Sequence, residues 1–163
     1  MYGRVLIPLD GSEAAEAAVK EAVRLAPAIR SAHLLVVDEP IRGAARLDGY
    51  VMFVDEWFRV RRGMAADYAR PLAEKLQEAG VEVTHSMLFG EAGAAIVQAA
   101  QNLKPDLILL GGEEGGWFRR PTGLASLAAR VSRRVSAAVL TVQEGALPAP
   151  APEAVEAPEA KAA

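Results

Sequence analysis

Four glycines, Gly111, Gly112, Gly115 and Gly116, follow the apolar run Asp106-Leu-Ile-Leu-Leu and precede Arg119 and Arg120. A helical pattern starts just beyond, and Ser126 stands near its start. Glycines between a strand and a helix let backbone N–H groups approach a phosphate closely, and the helix N-terminus adds partial positive charge. Ser126 is placed to donate its hydroxyl to such a group. Glu113 and Glu114 point the other way, because two carboxylates beside a triphosphate repel it. The stretch therefore reads either as a phosphate loop or as a solvated glycine-rich loop. Asp10, in Leu9-Asp10-Gly11-Ser12, is an acid at the end of another short apolar run.

Other chemistries find no support. No glycine is followed by Lys-Ser or Lys-Thr, so the P-loop is absent, as are GxGxxG and HExxH. The hydrolase elbow GxSxG is also absent. There are no cysteines, which removes disulfides, thiolate metal sites and thiol nucleophiles. His33 opens a strand-like run and His85 lies inside an alternating one, so both read as structural or solvated. No catalytic residue and no metal ligand is assigned.

The elements that must position these residues follow from patterning. Arg4-Val-Leu-Ile-Pro-Leu is too short for a helix and reads as a buried strand. Ser12 is an N-cap, with Glu13 and Glu16 in the first turn of a helix. Ala15, Ala18, Val19, Ala22, Val23 and Ala26 give that helix one apolar face, and Pro27 ends it. His33 to Val37 is a second buried strand. Residues 41–56 are irregular. A long helix is predicted from Trp57 to Ala79, with Pro71 kinking or splitting it and Gly80 as C-cap. Val81 to Leu88 alternates, as a more exposed strand does. Gly90-Glu91 opens a helix over Ala94 to Leu103. Asp106 to Gly111 is a strand, Leu124 to Val135 a helix, and Ala138 to Val142 the last strand.

The order β-α-β-α-β-α-β-α-β, with parallel crossovers, predicts an α/β fold. It is a three-layer doubly wound sandwich around a five-stranded parallel sheet. In such sheets ligands bind outside the carboxyl ends of the strands, where strand order reverses. Asp10, Val37 to Pro40, and Gly111 to Gly116 all fall on that edge.

The chain has 163 residues, 52% hydrophobic and 24% charged, enough to bury one ordinary core. No apolar run approaches the ~20 residues of a membrane span, and nothing near Met1 reads as a secretory signal. A soluble cytoplasmic protein is expected. From Ala146 onward the sequence is Ala, Pro and Glu with almost no large apolar side chains. Residues 1–145 are read as the domain and 146–163 as a flexible, partly extended tail. The tail holds three Glu and one Lys, so it carries −2 of the chain's net −3 and the body is nearly neutral. No nucleic-acid footprint is expected.

Three passages resemble the universal stress protein family. They are Val5-Leu-Ile-Pro-Leu-Asp-Gly-Ser-Glu, then Gly90-Glu-Ala with Ile96 downstream, then Asp106 to Gly111 through Ala138 to Val142. The resemblance frames residues 1–143. It implies a Rossmann-like fold, akin to the adenine nucleotide alpha hydrolases, and a homodimer paired along the last strand, Ala138 to Val142. It implies a role in stress survival or regulation rather than metabolite turnover, so the chain is not read as an enzyme beyond slow ATP hydrolysis.

One branch of that family binds ATP through G-x2-G-x9-G-[ST] after the fourth strand. This chain departs from that pattern. Gly111, Gly115 and Ser126 match only with one inserted residue and with Ala125 where the family has glycine. The insertion re-aims the loop by one backbone unit, about 3.5 Å. By the resemblance, Asp10 faces the nucleotide, Val37 borders the adenine, Gly111 and Gly115 donate backbone N–H groups, and Ser126 with Arg119 or Arg120 meets the phosphates of ATP, with Mg²⁺.

Three other readings stay open. One is the branch of the family that does not bind ATP and acts through protein partners. Another is a nucleotide-dependent enzyme on the same architecture, adenylyl-transferring or pyrophosphate-releasing. The last is a phospho-acceptor receiver domain, disfavoured because Asp10 has no acidic neighbour before it and Gln143-Glu144, not Lys, follows the last strand. The pairs Trp57-Phe58 and Trp117-Phe118 are read as core or interface anchors.

Overall fold

The computed structural model describes residues 1–39, 54–111 and 123–143. Five strands and four helices alternate: β1 (Tyr2–Leu9), α1 (Glu13–Arg24), β2 (Ile29–Asp38), α2 (Val54–Glu78), β3 (Glu82–Phe89), α3 (Ala92–Leu103), β4 (Leu107–Gly111), α4 (Gly123–Ser132) and β5 (Ala138–Val142). A single 3₁₀ turn, Ala26–Ala28, joins α1 to β2. All four strand pairings are parallel, in the order β3-β2-β1-β4-β5. The predicted three-layer doubly wound α/β fold is the one observed.

The sheet divides the core into two layers. On one face Val5, Ile7 and Leu9 of β1 pack against Ala15, Ala18, Val19 and Ala22 of α1 and against Ala69, Leu72 and Leu76 of α2. On the other, Leu6, Leu35, Val37 and Ile108 pack against Ala95, Ile96 and Ala99 of α3 and Leu127 and Val131 of α4. Alternate residues of β1 feed opposite faces, as the period-2 geometry of a strand requires. Both faces of β1 are covered, which is why it reads as a continuous apolar run.

Several element bounds need correction; α1 ends at Arg24, with Ala26 and Pro27 in the 3₁₀ turn, and α3 starts at Ala92 rather than Ala94. β2 starts at Ile29, four residues before His33, because the ladder begins at Tyr2↔Ile29 with the polar Arg30 and Ser31 included. α2 starts at Val54, earlier than Trp57, and Pro71 does not split it. Pro71 is exposed, so water can take the carbonyl one turn back that loses its N–H donor. α4 ends at Ser132, three residues before Val135, where Arg134 N closes a tight turn onto Val131 O at 2.9 Å.

Two helix ends, the Ser12 cap of α1 and the Gly80 stop of α2, are the expected ones. Ser12 caps α1, its hydroxyl accepting from Ala15 N at 3.1 Å. Gly80, at φ +85°, stops α2 while Val81 N bonds Leu76 O, a wrapped C-terminus that glycine permits. β5 ends the sheet as an edge strand, and Leu140 on it is 43% exposed. No helix among the described residues is long and apolar enough to cross a membrane. The expected tail, the pair Trp117-Phe118, and the irregular stretch up to residue 53 lie outside the described residues.

Candidate functional site

Strand order reverses between β1 and β4, so the carboxyl ends of these two strands define the ligand edge of the sheet. Asp10 follows β1 there, and Gly111 is the last, buried residue of β4. Val37, near the end of β2, is on the same edge, but its side chain is 4% exposed and packs in the α3/α4 layer. It can offer only its backbone to a ligand. The structure thus brings Asp10, Val37 and Gly111 to one edge. Gly115, Arg119 and Arg120 lie outside the described residues. Ser126 is in the first turn of α4, with its side chain outside what is described.

Asp10 is held by its own turn. Gly11 takes φ +86°, which lets the chain reverse so that Ser12 points back at the carboxylate. Oδ1 accepts from Ser12 N at 2.9 Å and from Ser12 Oγ at 2.5 Å. Among the described residues Oδ2 has no hydrogen-bond partner. Burial pushes the Asp10 carboxyl above its ordinary value, and the bonds from Ser12 oppose that only in part.

Tyr68 of α2 reaches under the same turn, a placement its helical spacing does not reveal. Its hydroxyl is buried, with no hydrogen bond of good geometry among the described residues. Burial first, then the carboxylates of Glu16 and Asp10, keep it protonated well above the ordinary tyrosine range. Only the packing of α2 on α1 brings Tyr68 to Asp10.

The rest of the edge is acidic and already engaged. Asp38, ending β2, forms a two-point pair with Arg61 of α2, with Nε to Oδ2 at 2.6 Å. Glu39 Oε1 accepts from Ala92 N at 2.9 Å. Glu91 caps α3, accepting from Gly93 N at 3.0 Å and Ala94 N at 2.9 Å. Arg130 of α4 donates to Glu91 Oε1 at 2.6 Å. The α3 N–H groups and Arg130 together hold the Glu91 carboxyl below its ordinary value, against the burial that would raise it. A Cβ at Gly93 would meet Arg130 Nη2 at 2.9 Å, so glycine keeps that approach open. Arg61 and Arg130 are therefore committed to carboxylates.

Neither histidine belongs to this edge. His33 is buried, and its two ring nitrogens lie 2.8 Å from Thr84 Oγ1 and Ser86 Oγ of β3. His85 is exposed on β3. The structural reading of His33 is the observed one. Trp57 is 46% exposed and stacks edge-on with Phe58 at 5.1 Å, so it is not a core anchor. No group of three or more metal-ligating side chains occurs among the described residues.

A parallel doubly wound sheet, with an acid after β1 and a glycine ending β4 at the switch in strand order, defines an α/β domain built around that edge. A model of the universal stress protein family matches residues 1–143, and the chain belongs to that family. A universal stress protein of Synechocystis is 26% identical over 153 residues, which span 87% of this chain and 98% of that one. Among solved structures, the universal stress protein UspA of Lactobacillus plantarum superposes with TM-score 0.65 at 22% identity, covering 87% of this chain and 98% of its own. A family member from Arabidopsis thaliana with AMP bound gives TM-score 0.58 at 16% identity, covering 88% and 95%. A universal stress protein in complex with cAMP gives 0.55 at 21%, covering 87% and 97%.

Proposed function

We propose that this chain is a regulatory protein that binds an adenine nucleotide at the carboxyl edge between β1 and β4, with no fast turnover. The observation that carries the reading is the Asp10 turn. It presents a half-buried carboxylate with Oδ1 occupied and Oδ2 open, beside the buried end of β4. An open carboxylate oxygen there accepts from a ribose hydroxyl. That AMP and cAMP occur in structures of the same fold supports the ligand class. Gly111 and Gly115 supply N–H donors in this reading, and Ser126 with Arg119 or Arg120 meets the phosphates. ATP would carry its own Mg²⁺, whose charge offsets Glu113 and Glu114. In cells the protein would work in the cytoplasm as a homodimer joined along β5, whose free edge is uncharged and carries the exposed Leu140.

Calorimetric titration with AMP, cAMP and ATP with Mg²⁺ tests the proposal. Saturable binding of at least one, weakened tenfold or more by Asp10→Ala, is the expected result. No heat and no thermal shift with any of the three at millimolar concentration would favour instead the branch that acts through protein partners.

A further inference from the structure

Five large hydrophobic side chains stand exposed among the described residues, and three of them, Trp57, Val60 and Met64, lie on α2. Their spacing of three and four residues places them on one stripe. That stripe flanks the core-facing side of the helix, which carries Ala65, Ala69, Leu72 and Leu76. Beside it sits Gly63, exposed and in mid-helix, where a Cβ would meet nothing within 4 Å. Glycine destabilises a helix interior relative to alanine. Nothing within the described fold uses the space it leaves.

The charges around Gly63 are arranged symmetrically by position and oppositely by sign. Glu56 pairs with Arg59, with Nε to Oε2 at 2.9 Å, and Arg70 pairs with Asp67 at 2.7 Å. Glu56 and Arg70 stand seven residues either side of Gly63, and Arg59 and Asp67 four residues either side. All four lie on the helix face centred on Gly63, within about half a turn. An antiparallel copy of α2, related by a two-fold through Gly63, would set Glu56 against Arg70 and Arg59 against Asp67, at both ends of the contact. The missing side chain at Gly63 leaves room for the two helix axes to pack within about 9–10 Å, inside the usual range. Val60 and Met64 of both copies then close one side of the seam.

We propose that this face of α2 binds a second copy of the chain, antiparallel and self-complementary about Gly63. This isologous surface is separate from β5 and needs no nucleotide. If both surfaces pair, the chain assembles beyond a dimer. If α2 alone pairs, the dimer forms there.

Two experiments test it. The chain has no cysteine, so Gly63→Cys introduces a single thiol at the two-fold, where helix axes about 9–10 Å apart put the Cα atoms at about 4.4–5.4 Å, a separation a disulfide bridges. Mild oxidation should cross-link it at least tenfold faster than Gln101→Cys, an exposed position on α3. The second uses charge. The double variant Glu56→Arg with Arg59→Glu keeps the pair within the helix but puts like charges across the seam. Its mass in light scattering at micromolar concentration should fall about twofold below the unmodified chain. Adding Asp67→Arg and Arg70→Glu restores both sets of pairs and should restore the mass. Cross-linking of Gly63→Cys no faster than the control, or equal masses for the unmodified chain and the double variant, would overturn the proposal. Equal melting curves for all charge variants exclude misfolding as the cause.

Discussion

Ser12 reaches back to Oδ1 of Asp10 twice, through its backbone nitrogen at 2.9 Å and its hydroxyl at 2.5 Å. The same hydroxyl accepts from Ala15 N, so one side chain both caps α1 and aims the acid that precedes it. The order of the turn and the order of the candidate site are one property.

Asp10→Asn should stabilise the fold at pH 7, because a neutral amide of the same shape replaces a carboxylate whose charged form burial disfavours. Burial raises the folded-state value of Asp10, so its favourable contribution belongs to low pH and is lost as pH rises through that value. The advantage of the variant should therefore shrink as pH drops through the carboxylate range. Ser12→Ala should instead cost about 1 kcal/mol through the lost cap, with both read from urea midpoints. An Asn variant less stable than the native chain at pH 7 would show that Oδ1 carries more than it costs.

Burial, and then the charges of His85 and Arg4, hold His33 below its ordinary value. The neutral ring is the folded form. Stability is then full above the unfolded value near 6.5 and declines as pH falls below it, because the unfolded chain takes up the proton first. Urea unfolding at pH 8 and pH 5 should show the loss, and His33→Gln should flatten it. Ser86→Ala leaves one ring nitrogen unpaired and should cost ~1–3 kcal/mol.

Tyr68→Phe removes a buried hydroxyl that has no well-formed hydrogen bond within the described fold. Its unfolding midpoint should stay within about 0.5 kcal/mol of the native chain or rise, since an unsatisfied group is lost with the oxygen. A loss of more than ~1 kcal/mol would mean that the hydroxyl is bonded, with Glu16 the nearest acceptor by charge.

Leu140→Lys places a charge on the free edge of β5, at a side chain 43% exposed. If β5 pairs with a second copy, sedimentation should show the species at that edge halved in mass, with the melting curve little changed. An unaltered sedimentation profile would leave α2 as the surface on which copies meet.

The sheet was legible because both faces of β1, β2 and β4 are covered, so each prints a run of Val, Leu and Ile bounded by Asp, Gly or Pro. The start of β2 was not, because Arg30 and Ser31 pair with β1 at a solvated end. Asp10 could be read because strand, acid, glycine and cap are adjacent in the chain. Tyr68, Arg61 and Arg130 could not. Each joins the edge across a helix packing, and Arg130 meets Glu91 from 39 residues away. Glu91 as a cap was half visible: Gly90-Glu91 marked the helix start, although glutamate is not among the preferred caps.

The central place of β1 bears on how the chain is made. Its neighbour β2 follows within 30 residues, but its other neighbour, β4, comes about a hundred residues later. Arg4 N waits for the carboxylate of Asp106, which it meets at 2.9 Å. On a ribosome delivering ~5–20 residues each second, β1 would stand with one ladder unmade for several seconds. During that interval the Leu6 side of the nascent sheet has no α4 above it. Slow synthesis of the segment between β2 and β4 would lengthen the exposure of that apolar surface.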